Sequence, residues 1–173
     1  MDQIDSGKYN ERVAECHAAV EAIQPYQQIS ALGEISWEDF LKVEDKIENE
    51  TVRKRARHVV SEIQRTEDAV KALRGGDLVR FGVLMNGSHD SLRDDYEVTG
   101  FELDTMVDEG RKIDGVIGTR MTGGGFGGCT VSLVKEEAID TFIEHVGKNY
   151  EEKTGLKPLF YVAEIGDGGK KLF

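Results

Sequence analysis

The chain has 173 residues, 39% of them hydrophobic, which is enough to bury one ordinary core and too little for two domains. Its formal net charge of −11, from 22 Lys and Arg against 33 Asp and Glu, excludes a surface built for nucleic acid or an anionic membrane. Cys16 and Cys129 show no metal-ligand or redox spacing and point to a reducing, cytoplasmic compartment, and no apolar run approaches the roughly eighteen residues of a membrane span.

In chain order, residues 9–24 predict a helix, with Val13, Cys16, Val20 and Ile23 on one stripe and Pro25 as its stop. Ser36 ahead of Trp37, Glu38 and Asp39 marks a capped short helix. A longer helix is expected over 49–74, with Ala56, Val59, Val60, Ile63, Val70 and Leu73 inward and Gly75 and Gly76 ending it. The cluster Arg53, Lys54, Arg55 and Arg57 reads as a solvated face balancing Glu48, Glu50 and Glu62.

Asp77 caps the next helix, whose stripe is Leu78, Phe81, Leu84, Met85, Ser88 and Leu92. That helix carries an unusual polar run of Asn86, Ser88, His89, Ser91, Arg93, Asp94 and Asp95. A further helix is expected over 102–112, with Leu103, Met106 and Val107 inward. After the glycine-rich stretch come a helix over 135–150, through Ala138, Phe142, Ile143 and Val146, and strands over 159–165 and 170–173. Helices first, then strand, loop, strand, helix and strands spell an α+β fold: one domain, residues 1–173, with a small, mostly antiparallel sheet and helices packed on one face.

The stretch 115–134 reads GVIGTRMTGGGFGGCTVSLV, two β-branched runs flanking five glycines among the six residues 123–128. Each glycine surrenders more chain entropy on folding than any other residue, and a hairpin needs only one or two. The excess implies dihedrals that only glycine tolerates, or amides that must approach a phosphate or a facing surface. Gly123, Gly125 and Gly128 spell G-x-G-x-x-G, but a strand pattern follows where a dinucleotide site needs a helix.

Among side chains, His89 with Asp94 or Asp95 is spaced wrongly for an acid–base pair on one helix, so His89 is assigned a buried hydrogen bond or a contact with the glycine loop. Cys129, with no neighbouring base, is read as a small buried strand residue. His17, His58 and His145 stand alone, and no metal site is expected. Residue chemistry alone ends at an α+β domain whose glycine loop meets an anion or a partner.

Four segments go further. Residues 84–104, LMNGSHDSLRDDYEVTGFELD, resemble the galactokinase helix signature, and residues 120–130, RMTGGGFGGCT, resemble the third motif of the GHMP kinases in its galactokinase form. YNERVAEC at 9–16 and RARHVVSEI at 55–63 are similar to the same family in the same order. The resemblance implies a GHMP kinase C-terminal domain, ferredoxin-like in fold. It also implies an enzyme that uses ATP and Mg²⁺ to phosphorylate galactose at its anomeric hydroxyl in galactose metabolism.

In that family the phosphate loop, the catalytic aspartate and most sugar contacts lie in an N-terminal ATP-binding domain with no counterpart in this sequence. The resemblance therefore implies no catalytic or metal residue here, galactose and ATP engaged through the N-terminal half, and no activity from this chain alone. Two elements carry over: Tyr9 as a galactose-binding residue, and Thr122, Gly123, Gly124 and Gly125 as a loop close to the transferred phosphate. The alternatives are a galactokinase-like sensor and a non-catalytic interaction module that self-associates through an exposed domain interface.

Overall fold

The computed structural model describes residues 6–164 and 166. Six α-helices are found among them: α1 (Ser6–Ile23), α2 (Trp37–Val43), α3 (Glu50–Arg74), α4 (Leu78–Asp94), α5 (Phe101–Gly110) and α6 (Ile139–Thr154). Strands β1 (Val116–Thr122) and β2 (Cys129–Val134) stand between α5 and α6 and pair antiparallel, with Thr119 opposite Ser132 and Thr122 opposite Cys129. The predicted Ser36 and Asp77 caps are made, and Asn49 adds a third. Ser36 Oγ accepts the Asp39 amide at 3.1 Å, Asn49 Oδ1 accepts that of Val52 at 3.1 Å, and Asp77 Oδ1 accepts that of Arg80 at 2.8 Å.

Apolar side chains gather in three places. Ala19, Ile23, Phe40, Ile47, Ala56 and Val60 join α1, α2 and α3; Leu92, Val98, Leu103 and Met121 join α4, α5 and β1; and Ile113, Phe142 and Val146 seat α6. The sheet is buried on the side carrying Thr119 and Met121, whereas Val131 is 47% exposed. A Cβ on Gly110 of α5 would lie 3.6 Å from the Thr119 methyl on the buried side.

Several expectations change. The inward face of α1 carries Arg12, Ala19 and Ile23, and Val13 faces solvent, because the Arg12 guanidinium is held by the carbonyls of Tyr96 at 2.7 Å and Glu97 at 3.2 Å. Arg55 is not on a solvated face. It is 2% exposed and donates to Glu15 Oε2 at 2.8 Å, to Glu97 Oε2 at 2.8 Å and to the Asp95 carbonyl at 2.6 Å. The stripe of α3 is inward at Ala56 and Val60 but leaves Ile63, Val70 and Leu73 exposed toward its end. Residues 159–164 form no strand: Leu159, Tyr161 and Val162 stand exposed, and an apolar run becomes a strand only with a neighbour to bond. Ile165 and the strand expected at 170–173 lie outside the described residues.

Candidate functional site

The polar run of α4 has a physical reason. One edge of β1 is paired with β2, and its outer edge would leave alternate amides unbonded beside a buried face. Helix α4 lies along that edge closely enough that a Cβ on Gly82 would sit 2.6 Å from the Ile117 carbonyl carbon and nearer still to its oxygen. From there Asn86 Oδ1 accepts the Thr119 amide at 3.0 Å and His89 Nδ1 accepts the Met121 amide at 3.2 Å. Two polar side chains one helical turn apart thus complete the edge of the strand that leads into the glycine loop.

His89 is fully buried, as its assigned structural role requires, and among the described residues no hydrogen bond or ion pair joins it to Asp94 or Asp95. Asp94 pairs with Arg93 at 2.8 Å, while Asp95 accepts from Ser91 Oγ at 3.1 Å. The carboxylate that does face His89 is Asp104 of α5, with Oδ1 at 3.2 Å from Nε2. Burial pushes the imidazole pKa down, so the ring is neutral, with Nδ1 as acceptor and Nε2 carrying the proton.

The loop itself, residues 123–128, turns through left-handed backbone at Gly123, Gly125, Phe126, Gly127 and Gly128. Gly125 is required twice over. Its φ is +81°, and a Cβ there would lie 3.0 Å from the Val98 carbonyl carbon, closer to the oxygen. That same oxygen accepts the Phe126 amide at 2.7 Å, pinning the loop to the connection between α4 and α5. Gly123 and Gly124 are exposed, and their amides and that of Gly125 have no hydrogen-bond partner among the described residues. Thr122 is exposed at the end of β1. Cys129 is exposed too, which corrects the buried reading: it is the first residue of β2 outside the loop, opposite exposed Thr122.

Tyr9 stands 65% exposed in the first turns of α1. The structure brings that helix end to the loop, since Lys8 Nζ lies 5.1 Å from the centroid of the Phe126 ring. Sequence reasoning missed this approach and the network behind it, in which buried Arg12 and Arg55 meet Glu15 and Glu97; no periodicity reports a cation turned inward.

His58, Ser91 and Asp95 have the composition of a catalytic triad but the wrong order. Ser91 is in the middle, bonded to His58 Nδ1 at 3.0 Å and donating to Asp95, so nothing activates its hydroxyl. Burial lowers the His58 pKa to about 4, and its ring stacks on Tyr96 at 4.3 Å. Glu109, buried beneath α6, accepts from Lys112, Lys153 and Asn149, and although its burial alone would raise the pKa, these donors bring it down to about 2. Among the described residues no group of three or more His, Cys, Asp or Glu converges as a metal site requires, and no helix is long and apolar enough to cross a membrane.

Residues 69–152 match the family model described as GHMP kinases C terminal. The chain is 55% identical over 165 residues to a galactokinase of Clostridium beijerinckii, covering 95% of this chain and 42% of that protein. It is 50% identical over 171 residues to one of Enterococcus faecalis, covering 99% and 44%. The crystal structure of Lactococcus lactis galactokinase complexed with galactose superposes with a TM-score of 0.92 at 49% identity, over 99% of this chain and 44% of that one. The chain thus spans less than half the length of the curated relatives it matches. With the hairpin, glycine loop and flanking helices inside the matched region, the chain is homologous to galactokinases over their C-terminal part and carries the C-terminal domain of the GHMP kinases.

Proposed function

We propose that this domain works with an N-terminal galactokinase domain to transfer the γ-phosphoryl of ATP to the anomeric hydroxyl of galactose. The observation that carries this reading is that the Gly123, Gly124 and Gly125 amides have no hydrogen-bond partner among the described residues, in a loop anchored at Val98 and Met121 next to the start of α1. Phosphoryl transfer asks a protein mainly for positioned donors around developing negative charge, and backbone amides serve without any ionisable side chain. Thr122 and these three glycines form the phosphate-proximal loop. Tyr9, exposed beside it, offers a phenol to a sugar hydroxyl and a ring to its apolar face.

The fit to ATP is of this limited kind, an anion-facing backbone. No residue of this chain is assigned to Mg²⁺ or to activating the sugar hydroxyl, and both roles fall to the N-terminal domain. A second reading, an interaction module without catalysis, draws on the exposed Val70, Leu73, Leu78, Val79 and Val83 at the junction of α3 and α4, which would drive self-association.

The test is galactose-dependent ADP release with ATP and Mg²⁺, measured for the purified chain and again after mixing with a galactokinase N-terminal domain. Release on mixing and none from the chain alone is the expected result. Release by the chain alone would refute the division of labour, and silence after demonstrated association of the two parts would favour the second reading.

A further inference from the structure

Among the described residues, the buried side-chain atoms without a hydrogen bond include His89 Nε2 and Asp104 Oδ1, and these two face each other at 3.2 Å. A buried polar atom is costly unless paired, so two such atoms at this separation are each other's complement. The other ring nitrogen, Nδ1, already holds the Met121 amide at the entrance to the glycine loop. His89 is therefore the side chain that joins β1 to α5. The 95–100 connection runs between the helices carrying the two residues, and its Val98 carbonyl grips the far side of the same loop through the Phe126 amide.

We propose that His89 and Asp104 are positioning residues for the glycine loop: the imidazole sets the strand that enters it, and the carboxylate, by fixing α5 against α4, sets the carbonyl that anchors its middle. The proposal rests on the reading of residues 122–125 as phosphate-proximal for its bearing on catalysis, but not for its structural content. Neither residue touches a reacting atom.

The tautomer follows from the geometry. With Nδ1 accepting from a backbone amide, the proton resides on Nε2, the ring nitrogen 3.2 Å from Asp104 Oδ1. Asn at position 104 keeps an oxygen acceptor in that place, whereas Leu removes it. At position 89, Phe keeps ring volume and loses both contacts.

The experiment is amide hydrogen exchange on the whole chain, read residue by residue by NMR, with ¹⁵N-labelled histidine to report the tautomer. In the wild type, His89 should show a protonated Nε2 and an unprotonated Nδ1. His89→Phe and Asp104→Leu should speed exchange at Met121 and Phe126 by about tenfold or more, the consequence of an unpaired buried group, and leave Val146 of α6 at its wild-type rate. Asp104→Asn should restore slow exchange. If His89→Phe does not fold, the Asp104 pair of variants carries the same comparison.

Unchanged rates at Met121 and Phe126, equal rates in the Asn and Leu variants, or a ring protonated at Nδ1 would each overturn the proposal. Exchange requires no phosphoryl transfer, so a failure of the galactokinase reading would appear in the ADP-release assay and leave these rates where they are.

Discussion

Gly82→Ala should be among the most damaging single-methyl additions this fold can receive. On an exposed helix face the change would stabilise by about 1 kcal/mol, because alanine is the better helix former. Here the new Cβ would be 2.6 Å from the Ile117 carbonyl carbon and 2.9 Å from the Ile117 Cγ2 methyl, and the nearest atoms are backbone, which cannot swing aside. Helix α4 must back away from β1 by the order of an ångström. That movement also lengthens the hydrogen bonds from Thr119 to Asn86 and from Met121 to His89.

Overpacking costs about 1–3 kcal/mol. Two buried amides losing their acceptors add about 1–3 kcal/mol each. Set against the propensity gain, the net loss is roughly 2–8 kcal/mol, a large share of the total for a domain of this size. Urea denaturation followed by circular dichroism measures it. Gly87→Ala on the same helix is the control, since its Cβ would meet only the Arg65 side chain at 3.3 Å, which can shift. A Gly82→Ala variant as stable as Gly87→Ala would refute the close approach of α4 to β1 on which the site is built.

Other outcomes follow from the buried charges. Arg55→Met should cost about 3–5 kcal/mol in the same denaturation assay, because it strips donors from Glu15 and the Asp95 carbonyl inside the fold; Glu97→Gln, at a half-exposed carboxylate, should cost under about 1 kcal/mol. His58 is neutral when folded, with a pKa of about 4 against 6.5 unfolded, so stability present above pH 6.5 is lost as the pH falls toward about 4. The size of that loss is on the order of 2–3 kcal/mol, and His58→Phe should flatten that part of the profile measured by thermal melts. Glu109 acts lower: its folded pKa of about 2 against 4.5 means its contribution holds above pH 4.5 and disappears toward pH 2, so Glu109→Gln should remove that acid limb.

What the sequence revealed and what it hid divide by physical cause. The helices announced themselves through caps and periodicity: Ser36 and Asp77 stand where their oxygens accept the third amide, and Leu103, Val107, Phe142 and Val146 bury as their spacing requires. The cations did not. Arg12 and Arg55 sit among other charged residues with nothing local to say that carbonyls of residues 95–97 await them on the inside. The polar run of α4 was visible as an anomaly, but its meaning lies in a strand that comes later in the chain and presents the amides of Thr119 and Met121. Asp104 was hidden for the same reason, since its partner is on another helix. The run 159–164 has the composition of a strand and lacks the neighbour that would make it one.

The glycine loop offers a last discrimination, because its glycines are not equivalent. Gly125 is demanded by the fold itself, through its φ and the Val98 carbonyl against it. Gly124 is not. Its backbone lies outside the left-handed region, and a Cβ there would meet nothing within 4 Å. The fold alone therefore accepts Gly124→Ala, and a lower entropy in the unfolded chain should raise stability by about 0.4–1 kcal/mol. A ligand phosphate drawn to the amides of 123–125 would not accept it, since the methyl occupies the space through which the anion approaches. The expected result is a domain at least as stable in urea as the wild type, with ADP release in the mixed assay reduced by about tenfold or more, the cost of one displaced backbone donor at a developing charge. Wild-type turnover by a stable Gly124→Ala chain would mean that the open glycines serve the hairpin and not the phosphate.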